Sequence, residues 1–161
     1  MMKKTCLGIL DISNINNPKM IGKNTNFCAR RGKFPDSVYI KELLFSKNGK
    51  YAYGAGGRGG LMVFKIKNDG LSLIKQTSGK HWGMLFNCTP SIRSIAMDEK
   101  NNILYMGTDD PALPQNSMKC VRCIKGVKQA CFVRAENIAI EQDAHYLIVL
   151  EEKRLTIYQL L

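Results

Sequence analysis

Three thiols sit close together in this chain: Cys120, Cys123 and Cys131. A Cys-x-x-Cys pair with a third cysteine nearby is one way to begin a tetrahedral zinc site, with Cys88 or His81 as the fourth ligand. Two features argue against it. No second Cys-x-x-Cys or His-x-x-x-His follows, and residues three apart on one strand point to opposite faces. The expectation is therefore no metal and no cofactor, with this trio as the lesser alternative. The six cysteines in all (Cys6, Cys28, Cys88, Cys120, Cys123, Cys131) form no small-domain disulfide framework. They are read as reduced thiols that pack as small hydrophobes in a cytoplasmic protein.

Other side chains could do chemistry, and each has a plainer reading beside the functional one. Asp109-Asp110 opens a Pro-rich loop. Paired carboxylates bind cations or trade protons, but in such a loop they more often form turns. His81-Trp82, with the single Trp of the chain, lies between Gly79 and Gly83. It could form a ligand platform or an interface anchor, or equally plug the gap between neighbouring strand units. Gly54-Ala55-Gly56-Gly57-Arg58-Gly59-Gly60 is rich in glycine but lacks the Gly-Lys-Ser/Thr of a phosphate loop, and a strand follows where such a loop needs a helix. It is read as a permissive connection whose glycines supply positive φ, with Arg58 at its tip. His81 and His145 are the only histidines, so no Ser-His-Asp or Cys-His set is legible.

The chain has 161 residues, 45% of them hydrophobic, which suits one domain with a real core. No stretch reaches the ~20 apolar residues of a membrane helix. Lys3-Lys4 and the apolar run behind them resemble the front of a signal peptide, but the run is cut at Asp11 and reads better as a strand. Lys and Arg number 24 against 13 acids, a net charge of +11. Such a balance draws acidic partners: nucleic acid, anionic lipid or an acidic protein surface. The basic residues are dispersed, as they also are when lysines guard strand edges.

The elements that must position these groups are strands. Leu44-Phe45-Ser46-Lys47-Asn48-Gly49-Lys50-Tyr51-Ala52-Tyr53-Gly54 reads as strand, tight turn, strand. The unit returns at 95–107 and 138–150, with Phe45, Met97 and Ile140 aligned at steps of 52 and 43 residues. That spacing, with no helical period in sight, predicts an all-β chain of four-stranded antiparallel propeller-type blades. The segments are about 5–24, 36–77, 90–134 and 135–161, giving a single domain of three to four blades and 13 strands. With strands alternating in direction, short turns (46–50, 67–70, 98–102, 124–127, 141–145) share one end. Longer connections (23–37, 54–60, 77–90, 108–116) share the other.

Leu7-Gly8-Ile9-Leu10-Asp11-Ile12-Ser13 followed by Asn17-Pro18 resembles the LVIVD repeat, as does Gly49-Lys50-Tyr51-Ala52-Tyr53 through Gly60-Leu61-Met62-Val63-Phe64-Lys65-Ile66. Lys65 stands where that repeat has Asp. The later units are similar to WD40-type or lactonase-type blades, without the Trp-Asp strand ends of WD40 repeats. The resemblance implies a β-propeller and no particular activity. Ala29-Arg30-Arg31-Gly32 is similar to the Arg-Arg-Gly core with which phosphoinositide-binding propellers hold headgroups, although those place an aromatic or leucine at the position of Ala29.

The function expected is a non-catalytic protein-interaction scaffold that uses the long-loop end. Arg30, Arg31, Lys33, Arg58, Lys80, His81, Trp82, Asp109 and Asp110 are its candidate partner-binding residues. One alternative is a binder of anionic lipid or nucleic acid through the basic members of that set. Another is a lactonase-like hydrolase. The ragged strand count predicts a piece of a longer propeller or a ring completed by a second chain. A four-bladed ring, in which an N-terminal strand becomes the outer edge of the last sheet, is the third arrangement considered.

Overall fold

A computed structural model describes residues 7–24, 40–57, 59–67, 70–77, 91–109, 113, 118–124, 126–141 and 145–160, with the backbone alone at 7, 8, 21–24, 77 and 121–123. The described residues form 13 strands and no helix. They run as β1 (Leu7–Asp11), β2 (Lys19–Asn24), β3 (Glu42–Phe45), β4 (Tyr51–Ala55), β5 (Leu61–Lys67), β6 (Gly70–Thr77) and β7 (Ile92–Asp98). The rest are β8 (Ile103–Thr108), β9 (Met118–Ile124), β10 (Val127–Arg134), β11 (Asn137–Glu141), β12 (Tyr146–Glu151) and β13 (Arg154–Gln159).

The strands gather into four sheets of two, four, four and three strands. The first is the hairpin β1–β2. The second runs β3-β4-β5-β6 and the fourth β11-β12-β13, each a simple antiparallel meander. The third runs β7-β8-β10-β9. There β10 lies parallel to β8 and antiparallel to β9, so one pair in the sheet is parallel where an antiparallel meander is expected. The reason lies in polarity. β10 carries the buried run Ala130-Cys131-Phe132-Val133, which needs cover on both faces. β9 carries exposed Lys119 and Cys120 and suits an edge. Strand directions still alternate along the chain, so the division into a short-turn end and a long-loop end survives the exchange.

The sheets stack face to face in chain order. Along β4 and β5, Tyr53, Ala55, Leu61 and Val63 face the third sheet. The alternate residues Ala52, Met62 and Phe64 face the other way, where Ile9 of β1 joins them. The third sheet divides similarly. Leu104, Met106 and Phe132 face the second sheet, and Tyr105, Cys131 and Val133 face Ile138, Leu147 and Val149 of the fourth. Cover on both sides makes Leu61–Phe64 a continuous buried run rather than an alternating one. Each such large apolar side chain contributes roughly 1.5–3 kcal/mol by leaving water.

Three local devices fix the stack. The register of β7 against β8 shifts between Ile92 and Ser94. This bulge re-phases the strand, so Ile92 and Ile95 enter the same core although three apart. β7 is an edge strand of its sheet, and the Ile95 N–H donates to Glu42 Oε2 of β3 at 2.8 Å, joining second and third sheets. The glycine-rich connection is a third tie. Gly57 and Ile92 exchange two backbone hydrogen bonds of 3.0 and 2.9 Å across the same gap. Gly57 (φ 55°) and Gly60 (φ 75°) supply the left-handed backbone this needs. Arg58, expected at the tip, lies outside the described residues.

The short turns also share a device. Gly49 (φ 64°), Asn102 (φ 57°) and His145 (φ 56°) hold left-handed backbone at the ends of the turns leading to β4, β8 and β12. Asn102 and His145 are 43 residues apart, the same step that aligns Met97 with Ile140. β1 pairs with β2, and β13 has β12 as its only neighbour among the described residues, so no N-terminal strand closes the last sheet there.

Candidate functional site

The long-loop end of the third and fourth sheets carries a groove of about 370 Å³. Three chain segments build it. Thr108 and Asp109 end β8, Arg134-Ala135-Glu136 links β10 to β11, and Glu151-Glu152-Lys153-Arg154 links β12 to β13. The Ala135 N–H donates to the Thr108 carbonyl at 3.0 Å, and the Glu136 N–H to the Leu150 carbonyl at 2.9 Å. The ordered backbone therefore fixes where the charged side chains start. Carboxylates (Asp109, Glu136, Glu151, Glu152) and cations (Arg134, Lys153, Arg154) line the groove together. Beside it, Arg93 grips Asp109, with Nη2 at 2.6 Å and Nε at 3.0 Å from Oδ2. Both side chains are partly exposed, so the pair is screened and holds orientation more than stability.

Of the residues expected at this end, Asp109 is in the groove. Arg30, Arg31, Lys33, Arg58, Lys80, His81, Trp82 and Asp110 lie outside the described residues. Sequence reasoning missed Arg93, which the β7 bulge turns toward the long-loop end. It also missed the run Glu151–Arg154. A signal for the latter was present: four charges in a row between two apolar strands mark an exposed tight connection.

The short-turn end has its own cleft of about 340 Å³, where the turns leading to β4, β8 and β12 converge. Lys47, Asp98, Glu99, Lys100, Glu141 and His145 line it. Asp98 is buried and committed to its turn, accepting from the Asn101 N–H at 2.9 Å and from Asn101 Nδ2 at 2.8 Å. Lys100 Nζ stands 3.5 Å from His145 Nε2.

Cys120 and Cys131 are a directly opposed pair on β9 and β10, and a disulfide joins them. This differs from the expected free thiols. Sulfurs bonded to each other are not thiolates, so in this state the two offer a metal nothing. The side chain of Cys123 lies outside the described residues. Among the described residues, no three His, Cys, Asp or Glu side chains gather as a metal site would need. No described helix is long and apolar enough to cross a membrane. Comparison with protein families and with characterised proteins finds no match to this chain.

Proposed function

We propose that the chain is a non-catalytic protein-interaction module, a partial β-propeller whose long-loop end receives an ionic protein surface. The observation that carries this reading is the mixed charge of the groove between the third and fourth sheets. Carboxylates and guanidinium groups set side by side suit a protein surface, where both signs occur and complementarity sets specificity and encounter rate. A phosphate backbone or headgroup presents one sign only and favours a uniformly basic surface. The scaffold supports the reading too, since the second and third sheets are covered on both faces and hold the connections in place.

The test is a comparison of bound partners for the natural chain and two variants. Asp109→Arg with Glu152→Lys inverts two charges in the groove. Glu99→Lys inverts one at the short-turn end as a control. Cross-linking with quantitative mass spectrometry should show discrete partners lost at least roughly tenfold from the groove variant, the effect of about 1.4 kcal/mol, and kept by the control. Partners retained equally by both variants would overturn the reading.

The charge of +11 favours a second reading, a binder of anionic lipid or nucleic acid through Arg30, Arg31, Lys33, Arg58 and Lys80. A salt titration separates the two, because phosphate contacts release counterions and weaken steeply with salt.

A further inference from the structure

We propose that the two open ends of the sheet stack are halves of one interface, so that copies of this chain associate head to tail. The hairpin β1–β2 of one copy would seat on the outer face of the last sheet of the next.

Among the described residues, the last sheet is covered on one side only. Ile138, Leu147 and Val149 pack toward the third sheet, so the alternate residues point outward. Cross-strand register sets them in rows: Leu150 opposite Leu155, and Ala139 opposite Ile148 opposite Ile157. Leu155 is 61% and Ile157 59% exposed. This is an apolar sheet face of the kind that is buried on both sides in the second and third sheets. Its outer edge, β13, has no further strand among the described residues, whereas those two sheets have four.

The opposite end of the stack is matched to it. Ile9 packs inward on the second sheet, so its neighbour Leu10 faces out, paired across the hairpin with Met20. Leu10 is 53% and Met20 59% exposed, and Ile12 and Ile15 beside them are exposed as well. A two-stranded hairpin is too small to stand as a sheet by itself and gains from a second face to pack on.

Charge decides how the ends pair. Among the described residues, the last sheet and its connections hold four acids (Glu136, Glu141, Glu151, Glu152) against Lys153 and Arg154. The hairpin holds Lys19 and Lys23 against Asp11. Tail to tail would set two net negative elements together, and head to head two net positive ones. Head to tail pairs elements of opposite net sign. Such an interface uses two different patches, so it closes into a ring or extends as a filament.

Sedimentation and light scattering across about 1 μM to about 1 mM, the span of weak to moderate affinity, should show mass rising with concentration. Two surface variants test the geometry. The tail variant is Leu155→Lys with Ile157→Lys. The head variant is Leu10→Asp with Met20→Glu. Each alone should stay at the single-chain mass. An equimolar mixture should form a one-to-one pair, because each variant keeps the end the other lacks, and that rescue also shows both are folded. A natural chain that stays monomeric throughout would overturn the proposal. So would association of either variant alone, or a mixture that fails to pair.

Discussion

Tyr53 is buried between the second and third sheets, and burial, then the neighbouring Tyr51, pushes its phenol up to about 12. Burial also raises Tyr105 and Tyr158, with the charges of Asp98 and Glu151 adding to the effect. The fold thus holds these phenols neutral, while an unfolded chain loses the same protons near pH 10. Stability from Tyr53 is complete below about pH 10 and is lost as pH climbs toward 12. Urea unfolding at pH 9, 10 and 11 should show a falling midpoint, with a smaller fall for Tyr53→Phe. The same fall in both chains would mean that other groups carry it. At this scale the sequence was least legible. Tyr53 could be read as a strand residue facing the core beside Tyr51, two residues back on the same face, but nothing along the chain announced Gly126 as its company. Asp109 was legible as a surface carboxylate because a Pro-rich loop follows it. Its partner Arg93, 16 residues earlier, was not, since the bulge that aims it arises only when β7 meets β8.

At the scale of elements, turns carry more information than their length suggests. Gly126 joins β9 to β10 with φ 94°, and a Cβ there would strike the hydroxyl of Tyr53 and lie 2.8 Å from Tyr51 Cδ2. This turn therefore closes the core between the second and third sheets as well as reversing the chain. Gly126→Ala should destabilise by about 2–4 kcal/mol, combining left-handed strain with displacement of packed rings. Thermal unfolding checks it, and a loss under about 0.5 kcal/mol, the scale of an ordinary surface change, would contradict it. Most strands were readable to within a residue or two. Two-residue alternation and Asn-Gly, Asp-Gly or Lys-Gly punctuation are local, and the local signal decided where chains turned. The order of β9 and β10 was not read. Pairing is a choice among edges, and the clue was one of placement: Lys119 and Arg122 interrupt β9, whereas Lys128 and Arg134 lie toward the ends of β10 and leave Ala130–Val133 unbroken.

For the whole molecule, what matters is that four sheets are stacked and that, among the described residues, the inner two alone are covered on both faces. The Glu42 carboxylate, accepting from the Ile95 N–H, and the backbone pair Gly57 and Ile92 tie those two together through hydrogen bonds that no hydrophobic pattern foretells. Spacing of the strand-turn-strand unit made the succession of sheets legible, because each unit is a local hairpin. It did not disclose how the ends are finished, which depends on surfaces contributed by the first and last units together.

The interior position of β10 bears on how the chain is made. β9 leaves the ribosome before β10 yet ends outside it. In the interval, β8 presents β9 with an open antiparallel edge, and adjacent segments pair readily. That early meander is a decoy: it must open before β10 can take its parallel place. The Cys120–Cys131 bond joins β9 to β10, which are neighbours in either order, so it leaves the decoy open to the oxidised chain. Refolding should therefore show a slow phase of rearrangement in the reduced and the oxidised chain alike. Stopped-flow traces with a single fast phase would rule this out. A strand order that looks static in the finished protein becomes, on this view, a question of timing.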